Sequence, residues 1–165
     1  MFQKLKDKVQ RFGGAMFFPA LLLPFAGILL GLTVILQNQQ LFPFVVEGST
    51  YLKIIDIFLQ TSLVIFNNLP IIFVLGIPIT LAKKESGRAT LTSFITYLTF
   101  NYFMGATLSH FGSTFGVDNY EAGALGLTEV AGVLTLDTNL VGAILAASLA
   151  VWIHNKYYDK EVPNI

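Results

Sequence analysis

Residues 15–36 read AMFFPALLLPFAGILLGLTVIL, and no charged residue occurs between Arg11 and Glu47. At about 1.5 Å per residue, a helix over this stretch is about 33 Å long, enough to cross a hydrocarbon layer of about 30 Å. Pro19 and Pro24 lie inside it. In water each would cost a helix interior about 3 kcal/mol, but membrane helices tolerate proline where neighbouring groups satisfy the freed carbonyls. Four polar residues, Gln37 to Gln40, then end the span.

The rest of the chain has the same character. Of its 165 residues, 54% are hydrophobic and only 12% charged, about half the charge of an ordinary soluble domain. A soluble chain of this size needs more polar surface than that to cover its core. Formal net charge is zero, so no global field points to nucleic acid or to an acidic substrate. With no cysteine, the chain has no disulfide, thiolate metal site or cysteine nucleophile.

Before the first span, Phe2, Leu5, Val9 and Phe12 recur at steps of three and four, while Lys4, Lys6, Asp7, Lys8 and Arg11 fill the remaining arc. This pattern predicts an amphipathic helix over residues 1–13, lying in the membrane interface. A cleaved signal peptide also starts basic and then turns apolar. Here, however, the apolar run is too long and no small-residue cleavage site follows it. After residues 15–36, further crossings are expected over residues 54–82, 89–108 and 138–155, with residues 109–137 as an external loop.

Charge fixes the count. Lys4 to Arg11, then Lys83, Lys84 and Arg88, then Lys156 and Lys160 form the basic clusters. Residues 110–137 hold Asp118, Glu121, Glu129 and Asp137 without one Lys or Arg. The positive-inside rule puts all three basic clusters in the cytoplasm and the acidic loop outside. Residues 54–82 are therefore expected to cross once, as a broken helix, giving four crossings, with five as the alternative. Trp152, Tyr157 and Tyr158 fit an inner aromatic belt. The fold expected is an all-α integral membrane bundle of about four transmembrane helices behind an interfacial helix, with both termini cytoplasmic.

The break itself, FNNLP at residues 66–70, sets Asn67, Asn68 and Pro70 at membrane depth. Broken helices survive there when buried in protein or lining a wet cavity, and transporters use them to bind substrate. A turn at the membrane surface is the plainer reading. In the third crossing, Thr90, Thr92, Ser93, Thr96, Thr99, Asn101 and Thr107 argue for burial against protein or for a polar path. Asn67, Asn68, Pro70 and Asn101 are thus the candidate cavity residues. His110 and His154 have no partner at metal-ligand spacing, and the loop carboxylates lack calcium-loop spacing, so no metal and no cofactor is expected. Asp56 sits near the outer end of its crossing, where water reaches it. Gly27 and Gly31 form a GxxxG, a close-packing face. No acid, base and nucleophile lie together, and a membrane assembly protein without substrate is the alternative from the residues alone.

Four stretches carry a family resemblance: QRFGGAMFFPALLLPFAGILLGL (10–32), NNLPIIFVLGIPITLAKKESGRA (67–89), LTFNYFMGATLSHFGSTFGVD (98–118) and AGVLTLDTNLVGAILAASLAVWIHNKYYDKEVP (131–163). The chain resembles the N-terminal part of the membrane-embedded IIC component of a sugar phosphotransferase permease, of the glucose superfamily's α-glucoside and maltose branch. The resemblance implies a homodimeric inner-membrane permease that phosphorylates its sugar during uptake. Phosphate would come from phosphoenolpyruvate through carrier proteins, a IIA unit and a cysteine on a IIB domain. It further implies that these helices supply scaffold and dimer contacts, while the sugar ligands and phosphorylated cysteine lie in parts absent here. The chain is accordingly expected to be an N-terminal fragment, with remaining IIC helices as partners and no transport by itself.

Overall fold

The computed structural model describes residues 2–124 and 126–160; Met1, Leu125, residues 161–165 and the side chains of Lys4, Leu5, Lys8 and Phe18 lie outside the described residues. The first helix, α1, runs without interruption from Phe2 to Leu36 and carries Pro19 and Pro24 inside it. The basic amphipathic stretch thus forms the opening turns of the same helix that continues into the apolar span, with no break at Gly13 and Gly14. Continuity needs no special device, because neither residue of that pair is proline and a helical glycine costs only about 1 kcal/mol.

Helix α2, Thr50–Asn67, starts where the Ser49 hydroxyl accepts the Leu52 N–H at 3.3 Å, an N-cap arrangement. Helix α3, Leu69–Leu81, follows at once, but its axis turns by 52° from that of α2. Pro70 explains the turn, since it has no N–H to give and its ring blocks the preceding helical register. The Asn68 side-chain amide donates to the Val64 carbonyl at 2.8 Å, so the end of α2 is closed by the residue at the bend. Tyr51 at the start of α2 donates to the Leu36 carbonyl at the end of α1, while a Cβ at Gly76 of α3 would meet Pro19 at 2.5 Å. The bent pair therefore runs back alongside α1, α2 against its C-terminal half and α3 against its N-terminal half.

Helix α4, Ser86–Phe111, and helix α5, Asn139–Tyr157, complete the bundle. Between them, where a plain loop was expected, a single 3-10 turn over Gly112–Phe115 is followed by a hairpin of β1, Leu127–Val130, and β2, Val133–Leu136. The strands pair antiparallel, Leu127 opposite Leu136 and Val130 opposite Val133. Ala131 and Gly132 turn the hairpin with φ of 50° and 83°, the two successive positive values that a tight two-residue connection needs. The bundle is mostly helical, with this one small sheet among the described residues.

Helix α3 is packed against α1, α4 and α5. Its Phe73, Val74 and Ile77 are buried against small residues of α5, Ala143, Ala146 and Ala147. The buried stripe of α4 is Ala89, Ser93, Tyr97, Asn101, Gly105 and Leu108, and Ser93 Oγ donates across to the Val74 carbonyl at 2.9 Å. The outside is where the large apolar residues lie. Phe17, Leu21, Phe25, Ile28, Leu32 and Ile35 form one exposed stripe along α1, and Val141, Leu145, Leu149 and Trp152 another on α5. Small residues at the helix contacts with bulky apolar stripes left outside is an arrangement that lipid, not water, stabilises. Helices α1 and α5 are each long and apolar enough to cross a membrane, and the α2–α3 pair makes a third if it is one bent span.

The hydroxyls of α4 have a more local use than their number suggests. Thr92, Thr96 and Thr107 each donate to the carbonyl four residues earlier, which satisfies them on their own helix. Of those hydroxyls, Ser93 is the one that bonds to a neighbouring helix.

Contacts between the helix ends gather the cations. Asn155 Oδ1 accepts the Lys83 N–H at 2.8 Å and its amide donates to the Leu81 carbonyl at 3.0 Å. His154 Nε2 lies 3.0 Å from the Lys84 carbonyl, and Arg11 shares a groove with Leu81 and Asn155. The start of α1, the α3–α4 turn and the end of α5 are therefore at one end of the bundle. The hairpin and its carboxylates are at the other end of α4 and α5.

Candidate functional site

Proline at the bend leaves the ends of α2 and α3 splayed, and the hairpin folds over the gap. The result is a cleft of about 240 Å³ that brings together Phe66, Asn67 and Pro70 from the bend, Tyr97 from α4, Thr128 and Glu129 from β1, and Asp137, Thr138 and Asn139 from the entry to α5. Two of the residues expected from sequence, Asn67 and Pro70, thus line it. Asn68 does not; its side chain is turned back onto Val64. Asn101 does not line it either; one turn along α4 from Tyr97 and 1% exposed, it donates its amide to the Tyr97 carbonyl at 2.8 Å, while its Oδ1 has no hydrogen-bond partner among the described residues. Thr135 Oγ1 is equally buried and has no partner among the described residues.

The hairpin is held close to α4 by the absence of a side chain at Gly105, where an added Cβ would collide with the Leu134 carbonyl. Tyr120 reinforces the same seam by donating its hydroxyl to Leu134. At the α5 entry Asn139 has φ of 43°, an accessible conformation for asparagine. Its N–H reaches Asp137 Oδ1 at 3.0 Å, and its own Oδ1 accepts from Leu140 N–H at 2.7 Å. These bonds fix the backbone that presents Asp137 and Thr138 to the cleft.

Glu129 and Asp137 are the residues that sequence reasoning treated as ordinary loop charge. Nothing in their spacing distinguishes them, because the hairpin that carries Glu129 to the bend is a long-range contact. Chemically, the cleft offers carboxylates, amides and hydroxyls beside the rings of Phe66 and Tyr97. That set can accept and donate hydrogen bonds around a neutral, polyhydroxylated molecule.

A bundle with apolar stripes outward, one bent helix pair and a polar cleft at the bend defines a multi-pass α-helical membrane protein. Its sequence matches the model of the family described as "Phosphotransferase system, EIIC" over residues 13–164, and the chain belongs to that family. It is 45% identical over 163 residues to the PTS system maltose-specific EIICB component of Bacillus subtilis (strain 168), covering 97% of this chain and 31% of the relative. It is 45% identical over 161 residues to the PTS system alpha-glucoside-specific EIICB component of Fusobacterium mortiferum, covering 94% of this chain and 30% of that protein. Phosphotransferase IIC component GlvC of Escherichia coli (strain K12) is 44% identical over 165 residues, with 95% and 44% covered. The chain spans about a third of the length of the first two.

Proposed function

We propose that this chain is the N-terminal, scaffold part of the IIC component of a phosphoenolpyruvate-dependent sugar phosphotransferase permease, which takes up an α-glucoside such as maltose and phosphorylates it. The supporting observation is the 45% identity to a maltose-specific relative along 97% of the chain. In this reading the bundle crosses the cell (inner) membrane four times, as α1, the bent α2–α3 pair, α4 and α5, with both termini cytoplasmic. Residues 1–13 lie at the cytoplasmic interface. Gly27 and Gly31, beside which an added Cβ would meet nothing within 4 Å, leave an open face of α1 for a second copy in a homodimer.

The remaining IIC helices and the IIA and IIB components complete the machine. In this reading they supply the phosphate-carrying cysteine and the second body that an alternating-access transporter moves against. Asn67 and Pro70 contribute to a polar vestibule on the outer approach to the sugar, Asn101 supports it from its buried position one turn along α4 from Tyr97, and Asn68 shapes the bend beside it. The test is phosphoenolpyruvate-dependent labelling of maltose by membranes that carry this chain together with the rest of the permease and the soluble carriers. Labelled maltose phosphate is expected only when all parts are present; none above the level of membranes lacking this chain would contradict the role.

A further inference from the structure

We infer that the cationic end of the bundle holds an anionic phospholipid, seated in the groove between the first turns of α1 and the last turns of α5. This groove, about 350 Å³, has apolar walls from Phe12, Leu81, Val151 and Trp152, with Arg11, Ser148 and Asn155 as polar members. Apolar walls suit an acyl chain, and the guanidinium fork of Arg11 suits a phosphodiester.

Cations outnumber carboxylates at this end of the bundle, where Asp7 and Asp159 also lie. Lys156 Nζ sits over Trp152 at 5.4 Å and over Tyr157 at 5.3 Å, and Lys160 Nζ over Tyr157 at 5.2 Å. Lys84 Nζ is 6.0 Å from the Tyr158 ring. Glu85, at the same end, is already engaged by Arg88 at 2.9 Å. Tryptophan and tyrosine mark headgroup depth, and cations clustered at that depth attract anionic lipid. Free phosphate offers nothing for the apolar walls, so the occupant is the lipid. The inference rests on the multi-pass reading and not on the transported sugar, so it and the permease assay can fail separately.

Trp152 is the only tryptophan in the chain and reports on the groove directly. The chain would be reconstituted into phosphatidylcholine vesicles containing a small fraction of either dibrominated phosphatidylglycerol or dibrominated phosphatidylcholine, and Trp152 fluorescence recorded. Phosphatidylglycerol is expected to quench with an apparent association about fivefold stronger, the effect of one cation at the membrane surface. The preference should vanish in Arg11→Gln and persist in Arg11→Lys. It should also persist in Lys53→Gln, which removes an exposed cation on α2, away from the groove. Equal quenching by the two lipids, or a preference unchanged in Arg11→Gln, would overturn the site. So would the absence of quenching by either lipid, which would mean that a protein segment covers the groove.

Discussion

At the scale of the residue, two small features hold distant parts of the chain together. Gly105 lets the β2 backbone approach α4 more closely than any side chain would allow. Gly105→Ala should push the hairpin off the helix and lower stability by about 1–3 kcal/mol, the usual cost of overpacking. Gly87→Ala, at a position with nothing within 4 Å, should be neutral or slightly stabilising because alanine favours helix. Thermal unfolding of both variants in the same detergent checks the contrast. Asn155 bonds both Leu81 and Lys83 across the α3–α4 turn. Losing those bonds in Asn155→Ala should cost about 1 kcal/mol locally, and so raise the rate of tryptic cleavage after Lys83, Lys84 and Arg88 about fivefold. An unchanged digestion rate would show that the turn is held by other contacts.

Among the elements, the bent pair is the one whose shape depends on two residues. Pro70 interrupts the register, and Asn68 closes the end of α2 by bonding to Val64. In the double variant Asn68→Leu, Pro70→Leu, one straight helix should replace the 52° bend. Spin labels at Lys53 and Thr80 should then move apart by about 4 Å, from helix rise and bend angle alone, as read by pulsed dipolar spectroscopy. The bend was legible in the sequence because proline acts locally. So were α4 and α5, whose apolar lengths and flanking charges suffice to locate them. The hairpin was not, because Leu127–Leu136 is short, interrupted by glycine and stabilised by its packing on Gly105. The cleft was therefore half legible: Asn67 and Pro70 could be named from the break, whereas Glu129 and Asp137 reach it only through tertiary contacts. Hydroxyls on α4 misled in the other direction, since most of those bonded serve their own helix.

For the whole molecule, alanines of α5 pack against Phe73, Val74, Ile77 and Tyr97 inside, while many phenylalanines, leucines and isoleucines face outward, as suits a lipid surround. Folding adds what charge counting could not supply, namely contacts that place Arg11, Lys84 and Lys156 at one end and the carboxylate-bearing hairpin away from them. In the proposed topology a bilayer separates the two ends, with the cations on the cytoplasmic side. Because the chain has no native cysteine, single-cysteine variants report position cleanly. In intact cells, Glu121→Cys should react with a membrane-impermeant maleimide, and Lys84→Cys should react only after the membrane is permeabilised. Labelling of Lys84→Cys from outside, or protection of Glu121→Cys until permeabilisation, would contradict the account.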